Sequence, residues 1–130
     1  MIFNLSEYVR LNTAYTPITN GLDPETTGDA LLLIGSGGED LSRGLIVEDT
    51  VQFISRFADR IEAYLAINSV NNLLKNRFSI ELPQVIVDSV TYPAITVAQI
   101  TPLQRPGYVG ADSSGLHQWS VNYKVITRED

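Results

Sequence analysis

Residues 50–74, TVQFISRFADRIEAYLAINSVNNLL, change from a two-residue hydrophobic period to a helical one within a few positions. From 45 to 57 the side chains alternate between two faces, which predicts a strand with Phe53 on its apolar side. From 59 to 78 the spacing is helical, and Asp59 is a suitable N-cap. The stretch therefore predicts a strand that leads directly into a long helix.

The apolar positions of this helix form an unusually wide arc. Ile61, Tyr64 and Leu65 belong to this arc. An arc of this width exceeds what packing on one sheet face requires, so we expect a second surface to cover the helix. That surface is either a neighbouring subunit or another part of the same chain. The remaining members of the arc are Phe57, Ile67, Val70, Leu73, Leu74 and Phe78.

The rest of the chain adds one short helix and several strands. Because strands lie on both sides of one long helix, the pattern predicts an α+β fold in a single domain, residues 1–130. We expect a mostly antiparallel sheet covered by the long helix, a short N-terminal helix and a protruding hairpin loop. The expected segments are a helix at 2–12, a loop at 16–29, a strand at 30–34 ended by glycine-rich residues 35–40, extended chain at 79–94, a strand at 95–101, a loop at 102–115 and a strand at 116–127.

Charge is distributed unevenly along the 130 residues, whose formal net charge is −6. Residues 22–49 hold seven acidic side chains against one basic side chain, Arg43. An acidic surface repels phosphate, which disfavours tight nucleic-acid binding but not DNA that slides past without binding. A solvated acidic loop is the alternative interpretation of this segment.

Composition also disfavours several kinds of site and location. The chain has no cysteine, which excludes disulfides and thiolate–metal sites. Glu7 and Arg10 interrupt the first ten residues, so we do not expect a signal peptide. No segment approaches the roughly 18 consecutive apolar residues of a membrane span, so no membrane partner is expected.

No sequence motif indicates catalysis. His117 is the only histidine, and it shares the predicted apolar face of its strand with Trp119. The glycine-rich residues 35–40 match neither a dinucleotide-binding pattern nor a P-loop, and their acidic end would repel a phosphate. Adjacent carboxylates at 39–40 and 48–49 point to opposite faces of a strand. We therefore expect a protein that works by contact, with no enzymatic activity, cofactor or metal.

Two segments resemble the minor capsid and tail-terminator proteins of tailed bacteriophages, over roughly residues 45–127. In that family, a strand with an arginine near its end leads into a core helix, and the C-terminus closes with a proline, a small loop holding Gly and Asp, and an aromatic strand with Asn before an aromatic residue. The matching residues here are Val51, Phe53, Arg56, Ile61, Leu73, Leu74, Pro106, Gly110, Asp112, Gly115 and the strand WSVNYKV, with Asn122 before Tyr123.

The resemblance implies a function in the virion. Tail terminators are small α+β proteins that form a ring, commonly hexameric, on the head-proximal end of the tail tube. The implied partners are other copies of the chain, the tail tube protein, the head–tail connector or stopper protein, and double-stranded DNA that passes through the lumen without specific binding. The implied location is the head–tail junction of the virion, after assembly in the host cytoplasm.

Within this framework the sequence offers two groups of site residues. Arg56, Arg105, Tyr108 and Val109 are predicted to contact a neighbouring subunit or the tube, with Tyr108 and Val109 at the tip of the 102–115 loop. Alternatively, Tyr108 folds back on its own domain. The second group, Glu39 and Asp40, is predicted to face the lumen, where negative charge avoids trapping phosphate.

Two other functions remain open at this point. One is a different neck component, such as a head-completion or stopper protein, which would bind the connector instead of the tube. The other is a small α+β domain that binds a ligand, which would require a concave pocket with convergent polar groups.

Overall fold

The computed structural model describes residues 1–19, 28–41 and 46–128. Within these ranges the chain is α+β, with two helices and a mostly antiparallel sheet. The elements are α1 (Ile2–Asn12), β1 (Ile18–Thr19), β2 (Ala30–Leu41), β3 (Ile46–Phe57), α2 (Arg60–Leu74), β4 (Arg77–Leu82), β5 (Val85–Val87), β6 (Val90–Tyr92), β7 (Ile95–Pro102), β8 (Gly107–Ala111) and β9 (His117–Arg128).

β9 is the central strand of the main sheet. The strand order is β1-β2-β3-β9-β7-β4, and β8 also pairs with β9. β3 follows β9 along its whole length, while β7 and β8 pair with different parts of its other edge. Among the strand pairs of the described residues, only the short β1–β2 pair is parallel. β5 and β6 form a separate two-stranded sheet.

The strand predicted at 30–34 does not end at the glycines. β2 continues to Leu41 and pairs with β3, with a register shift between Gly35 and Gly38. Glycines tolerate such a bulge, and β3 supplies hydrogen-bond partners on both sides of it. Gly35 has a packing role as well, because a Cβ there would lie 3.3 Å from the Ile2 side chain. The glycine-rich segment is therefore part of a bulged strand, and the prediction that it ends the strand is wrong.

α2 begins where the sequence predicts and ends earlier. Asp59 is the N-cap, and its Oδ1 accepts a hydrogen bond from the Ile61 N–H at 2.9 Å. Lys75 is already extended, and Asn76 has a φ of 53°, a left-handed conformation that asparagine tolerates and that stops the helix. Phe78 consequently lies in β4 and is 61% exposed, so its predicted place on the helix is wrong.

The face that α2 turns to the core matches the predicted arc only in part. Ile67, Val70 and Leu74 of that arc are buried, together with Ala63 and Ala66, whereas Ile61, Tyr64 and Leu65 of the arc are exposed. The small alanines let the helix backbone lie close to β3, where the Ser55 hydroxyl donates to the Ala63 carbonyl at 2.7 Å. A close approach of backbones selects small side chains over larger apolar ones.

The core combines one face of the sheet with both helices. The alternation predicted for β3 is confirmed, because Val51, Phe53 and Ser55 are buried. Trp119 is partly buried and packs against the core instead of lying within it. The buried cluster consists of Leu5, Val9, Leu31, Leu33, Val51, Phe53, Ile67, Val70, Leu74, Leu82, Val97, Ile100, Val121, Tyr123 and Val125.

A buried asparagine attaches α1 to the small sheet. The predicted helix at 2–12 is confirmed, and Asn4 is fully buried within it. Its Nδ2 donates to the carbonyl oxygens of Pro83, Tyr92 and Pro93 at 3.0, 3.3 and 2.9 Å. Pro83 precedes β5, Tyr92 is the last residue of β6 and Pro93 follows it, so one side chain attaches α1 to both ends of the two-stranded sheet.

Candidate interaction surface

The predicted loop at 102–115 contains a strand. β8 pairs with β9, and Tyr108 lies opposite Trp119. Tyr108 and Val109 are therefore strand residues, and their predicted position at a loop tip is wrong; residues 112–116 make the turn. A register shift between Tyr108 and Gly110 leaves Val109 at a bulge, where Gly110 adopts a φ of +125° that favours glycine. Val109 is 62% exposed there.

Asp112 organises the turn between β8 and β9. Its Oδ1 accepts hydrogen bonds from the N–H groups of Ser114 and Leu116, at 2.9 and 3.0 Å. Its Oδ2 accepts from Arg56 Nε at 2.7 Å. The Leu116 N–H first, and then the Arg56 guanidinium, hold the pKa of the Asp112 carboxyl below its usual value. One carboxylate thus shapes the turn and attaches it to β3.

Arg56, a predicted contact residue, is mostly enclosed by its own chain. Its side chain is 12% exposed and forms the ion pair with Asp112. Nη1 is buried and has no hydrogen-bond partner. The geometry gives Arg56 a structural task in holding the turn, and leaves little of its side chain for another molecule.

Tyr108 belongs to a cluster of aromatic rings formed by β8, β9 and α2. Its ring centroid lies 5.5 Å from that of Trp119, which lies 5.1 Å from that of Tyr64. The Tyr108 hydroxyl is 2.8 Å from His117 Nδ1, and the Arg60 guanidinium carbon is 5.1 Å from the Tyr108 ring centroid. Tyr108 therefore folds back on its own domain, as in the alternative interpretation, and remains 41% exposed.

The aromatic cluster continues into an exposed apolar face of α2. Ile61 is 69% exposed, and Tyr64 and Leu65 are each 43% exposed. We call these three residues, with Tyr108 and Val109, the apolar surface. Exposed apolar residues that lie together mark interaction sites, and tyrosine and arginine are enriched where binding energy concentrates.

A cleft of about 570 Å³ adjoins the apolar surface at Tyr64. We call it the donor cleft. It lies between the C-terminal end of α2 and the connection from β7 to β8, and it contains Arg105, another predicted contact residue. The described residues that line it are Tyr64, Asn68, Asn71, Lys75, Asn76, Pro102, Gln104, Arg105 and Pro106, none of which is acidic.

The predicted lumen residues lie at the far end of β2. Glu39 is opposite Glu48 in the register with β3, and Asp40 is opposite Val47. Glu48 Oε1 lies 3.2 Å from Lys124 Nζ. The side chains of Glu39 and Asp40 are outside what the structure describes, as are three other charged residues of the acidic segment: Asp23, Glu25 and Arg43. Their orientation toward a lumen stays a prediction.

Sequence reasoning found part of this surface and missed the donor cleft. It selected Arg105 and Tyr108, but not Lys75, Asn71 or Gln104. A usable signal was the group of asparagines near Lys75: Asn68, Asn71 and Asn72 lie in the helix, where asparagine is an unfavourable residue, and Asn76 follows its end.

Residues 1–19, 28–41 and 46–128 contain neither a metal-binding cluster nor a helix that could cross a membrane. No group of three or more His, Asp or Glu residues in that part of the chain is placed to hold a metal ion. Neither described helix has the length and hydropathy that crossing a membrane requires.

The comparisons with known proteins add no relative. The chain matches no protein-family model and no curated protein at a significant level. The function must therefore be argued from the surface itself and from the resemblance in the sequence.

Proposed function

We propose that this chain is a structural protein of a tailed-phage virion, namely a tail terminator that forms a ring on the head-proximal end of the tail tube. Such rings are commonly hexameric. The ring stops growth of the tube, meets the head–tail connector or stopper protein, and lets double-stranded DNA pass through its lumen without specific binding. Assembly takes place in the host cytoplasm, and the mature location is the head–tail junction. This function uses no catalytic step and no cofactor.

The apolar surface is the observation that carries the proposal. Ile61 and Leu65 expose large aliphatic side chains on the helix that carries Tyr64, and Val109 does so directly after Tyr108 in β8, while Tyr64, Trp119 and Tyr108 form the aromatic cluster. When a partner covers apolar surface, its burial contributes about 25 cal/mol of favourable free energy per Å². A ring subunit has such a partner in its neighbour, and it uses two different patches because head-to-tail contacts are not self-complementary.

In this proposal each predicted residue has a defined task. α2 covers one face of the sheet, and β8 with the start of β9 projects as a hairpin toward the neighbour or the tube. Arg105, Tyr108 and Val109 make the contact, while Arg56 contributes by holding the turn through Asp112. The sequence-based hypothesis places Glu39 and Asp40 at the lumen.

Immunogold electron microscopy of particles from a lysate that contains the protein tests the location. The expected result is label at the head–tail junction and on the upper end of tails that have not joined heads. Label on heads that lack tails would contradict the terminator function and indicate a stopper or head-completion protein instead. Particles without label would overturn the virion function and favour a ligand-binding domain, for which the donor cleft has a suitable volume.

A matched pair of variants tests whether the apolar surface is used. Val109→Asp places a charge in the proposed contact, and Val90→Asp places the same charge on an exposed residue of β6 outside it. We expect Val109→Asp to lower incorporation of tagged protein into particles by about tenfold or more, because desolvating a charge in an apolar contact is costly. Equal incorporation of both variants would contradict the assigned contact.

A further inference from the structure

β8 (Gly107–Ala111) leaves part of the main sheet open at one side. Among the described residues, the only strand that pairs with β8 is β9, and no further backbone–backbone hydrogen bond involves β8. β4 covers the corresponding edge of β7, but its first residue, Arg77, lies opposite Ile100. Within the described part of the chain, no strand therefore continues the row of β4 beside β8. We call the side of β8 that faces away from β9 the open edge.

The open edge lacks the residues by which proteins usually protect an edge strand. Charged side chains and prolines on an edge discourage pairing with another chain. β4, at the end of the sheet, follows this rule, because Arg77 and Glu81 are exposed on it. β8 has the sequence GYVGA, which contains neither a charge nor a proline. Its composition therefore permits strand addition, in which an extended peptide pairs with a sheet edge.

The donor cleft lies at the end of the open edge where β8 begins. Gln104, Arg105 and Pro106 line the cleft and directly precede β8, and Lys75 and Asn76 line it and directly precede β4. Lys75 and Arg105 are exposed, and neither takes part in the ion pairs of the described residues. Since no described lining residue is acidic, the cleft is positive in a chain of net charge −6. Such a cleft attracts anionic groups.

Two amides in the cleft are oriented by neighbouring side chains. Burial raises the pKa of the Tyr123 phenol, so its hydroxyl stays protonated and donates to Asn71 Oδ1 at 2.8 Å. Asn122 Nδ2 donates to Gln104 Oε1 at 3.3 Å. Because each amide oxygen already accepts a hydrogen bond, the NH₂ groups of Asn71 and Gln104 are the parts left for a ligand. The cleft therefore combines two cations with amide donors, which suits carboxylates.

The direction of β8 decides which end of an added strand reaches the donor cleft. A strand that pairs antiparallel with β8, as β9 does on the other side, runs from Ala111 toward Gly107. The C-terminal end of that strand then enters the cleft. Its residue opposite Tyr108 lies beside the aromatic cluster, because residues paired across two strands share a face of the sheet.

We propose that the open edge and the donor cleft together bind an extended acidic segment of a partner protein, which pairs antiparallel with β8 and places its carboxylates beside Lys75 and Arg105. The segment carries an apolar residue opposite Tyr108. Its carboxylates follow about two to four residues later, since each strand residue advances by about 3.3 Å. The inference rests on the proposed ring function and deepens it, because it names the chemistry of the segment that a partner inserts beside β8.

Two local features weaken this binding and make the carboxylates necessary. The register shift at Val109 bends β8 and disturbs the spacing of its outward backbone groups, so backbone hydrogen bonds alone hold an added strand weakly. The C-terminal end of α2 carries partial negative charge, part of which Arg77 offsets by donating from Nε to the Leu73 carbonyl at 2.7 Å. Lys75 and Arg105 still set the sign of the cleft, because full charges outweigh a half-charge at a helix end.

A pair of synthetic peptides tests the site in the full-length chain. The probe peptide alternates threonine and valine and ends in two glutamates, whereas the control peptide ends in two lysines; both are amidated. NMR titration follows the backbone amides of residues 107–111 and the side-chain amides of Asn71 and Gln104. We expect the glutamate peptide to shift both groups of signals and to slow hydrogen exchange in β8. The lysine peptide should bind at least tenfold more weakly.

Three variants test the charges of the cleft. Lys75→Gln and Arg105→Gln should each weaken binding of the glutamate peptide by about threefold or more, and together by about tenfold or more, because charge-assisted hydrogen bonds are lost. Arg10→Gln removes one positive charge from α1, outside the site, and is the matched control for either substitution. We expect it to bind the peptide as the wild type does. Circular dichroism checks that all variants are folded.

Several results would overturn the proposal. They are the absence of shifts at millimolar peptide, equal binding of the two peptides, and unchanged binding by the folded double variant. Shifts confined to the side chains of the cleft, with unchanged hydrogen exchange in β8, would contradict strand addition. Inorganic phosphate that shifts the cleft signals at the same concentration as the peptide would assign the cleft to free anions instead.

This test and the immunogold test fail independently. Label at the head–tail junction together with no peptide binding would leave the terminator and remove this site. Charge-dependent peptide binding at β8 without any label on particles would leave the site and remove the virion function.

Discussion

Arg56 and Asp112 are 56 residues apart in the sequence, and Arg56 Nε donates to Asp112 Oδ2 at 2.7 Å. The same carboxylate accepts two backbone N–H groups through its other oxygen. The position of the β8–β9 turn therefore depends on a residue in β3, and the exposed Val109 beside that turn depends on it indirectly.

Removing the arginine tests this dependence. Arg56→Gln keeps a hydrogen-bond donor but removes the charge, so we expect the pKa of Asp112 to rise toward its ordinary value and the turn to open more often. NMR titration of the Asp112 carboxyl and hydrogen exchange at the Ser114 and Leu116 amides measure both effects. Faster exchange should be confined to the turn. An unchanged carboxyl titration would show that Arg56 does not stabilise the Asp112 charge.

The depressed pKa of Asp112 predicts a pH dependence of stability. Its charged form is favoured in the folded state, so the stabilisation is fully present above the ordinary aspartate pKa of about 3.9 and is lost as pH falls through the lower folded-state pKa. We expect Asp112→Asn to be less stable than wild type at neutral pH, with a difference that shrinks below about pH 4. Urea unfolding from pH 7 to pH 2.5 measures this difference.

A second aspartate provides the control for that experiment. Asp88→Asn also removes one charge, at a position with a φ of 50° that asparagine tolerates. Comparing the two variants separates the hydrogen bonds and ion pair of Asp112 from the loss of one negative charge. If the difference in unfolding free energy between Asp112→Asn and wild type widens as pH falls, the assigned role of the carboxylate is contradicted.

Asn4 should be costly to replace. Asn4→Ala leaves three carbonyls without their shared donor, and buried unsatisfied groups cost about 1–3 kcal/mol, so we expect a loss of about 2–3 kcal/mol in the free energy of unfolding. Asn12→Ala is the matched control, because Asn12 donates to one exposed carbonyl in the same helix, and its cost should stay near 0.5 kcal/mol. Equal costs for the two variants would argue against the attachment of α1 to the small sheet.

The orientation of α2 predicts opposite results for two apolar positions. Ala66→Leu inserts volume into a closed space and should cost about 1–3 kcal/mol of stability. Ile61→Ala removes an exposed side chain and should change stability by about 0.5 kcal/mol or less, while lowering any self-association through the apolar surface. A large loss of stability for Ile61→Ala would favour the arc predicted from the sequence. Thermal unfolding of both variants decides the question.

Local signals explain what could be predicted from the sequence. The change from β3 to α2 was predictable because alternation, a change of period and the Asp59 cap all occur within a few residues. Local hydrophobic periodicity also predicted helix α1. It predicted strands β7 and β9 to within a residue or two. The core face of α2 was predicted only in part. Ile67, Val70 and Leu74 belong to the predicted arc and are buried, but hydrophobicity also favours Ile61 and Leu65, whereas close packing on β3 selects Ala63 and Ala66.

Long-range pairing explains most of the remaining differences. Gly35 and Gly38 resemble a turn when the chain is considered locally, but β3 pairs across them and keeps the strand continuous. Pro106 and the glycines of β8 also indicate a loop when the chain is considered locally. Pairing with β9 nevertheless makes residues 107–111 a strand. The donor cleft combines α2 with a connection about thirty residues later, so no single window of sequence contains it.

The position of β9 has a consequence for biosynthesis. This central strand follows every other element of the sheet in chain order, so β3, β7 and β8 leave the ribosome with the edges that will flank it unpaired. A nascent chain that stops short of residues 117–128 exposes those edges to chaperones and cannot complete its core. Folding of the sheet therefore cannot finish before β9 has been synthesised and inserted between β3 and its partners on the other edge.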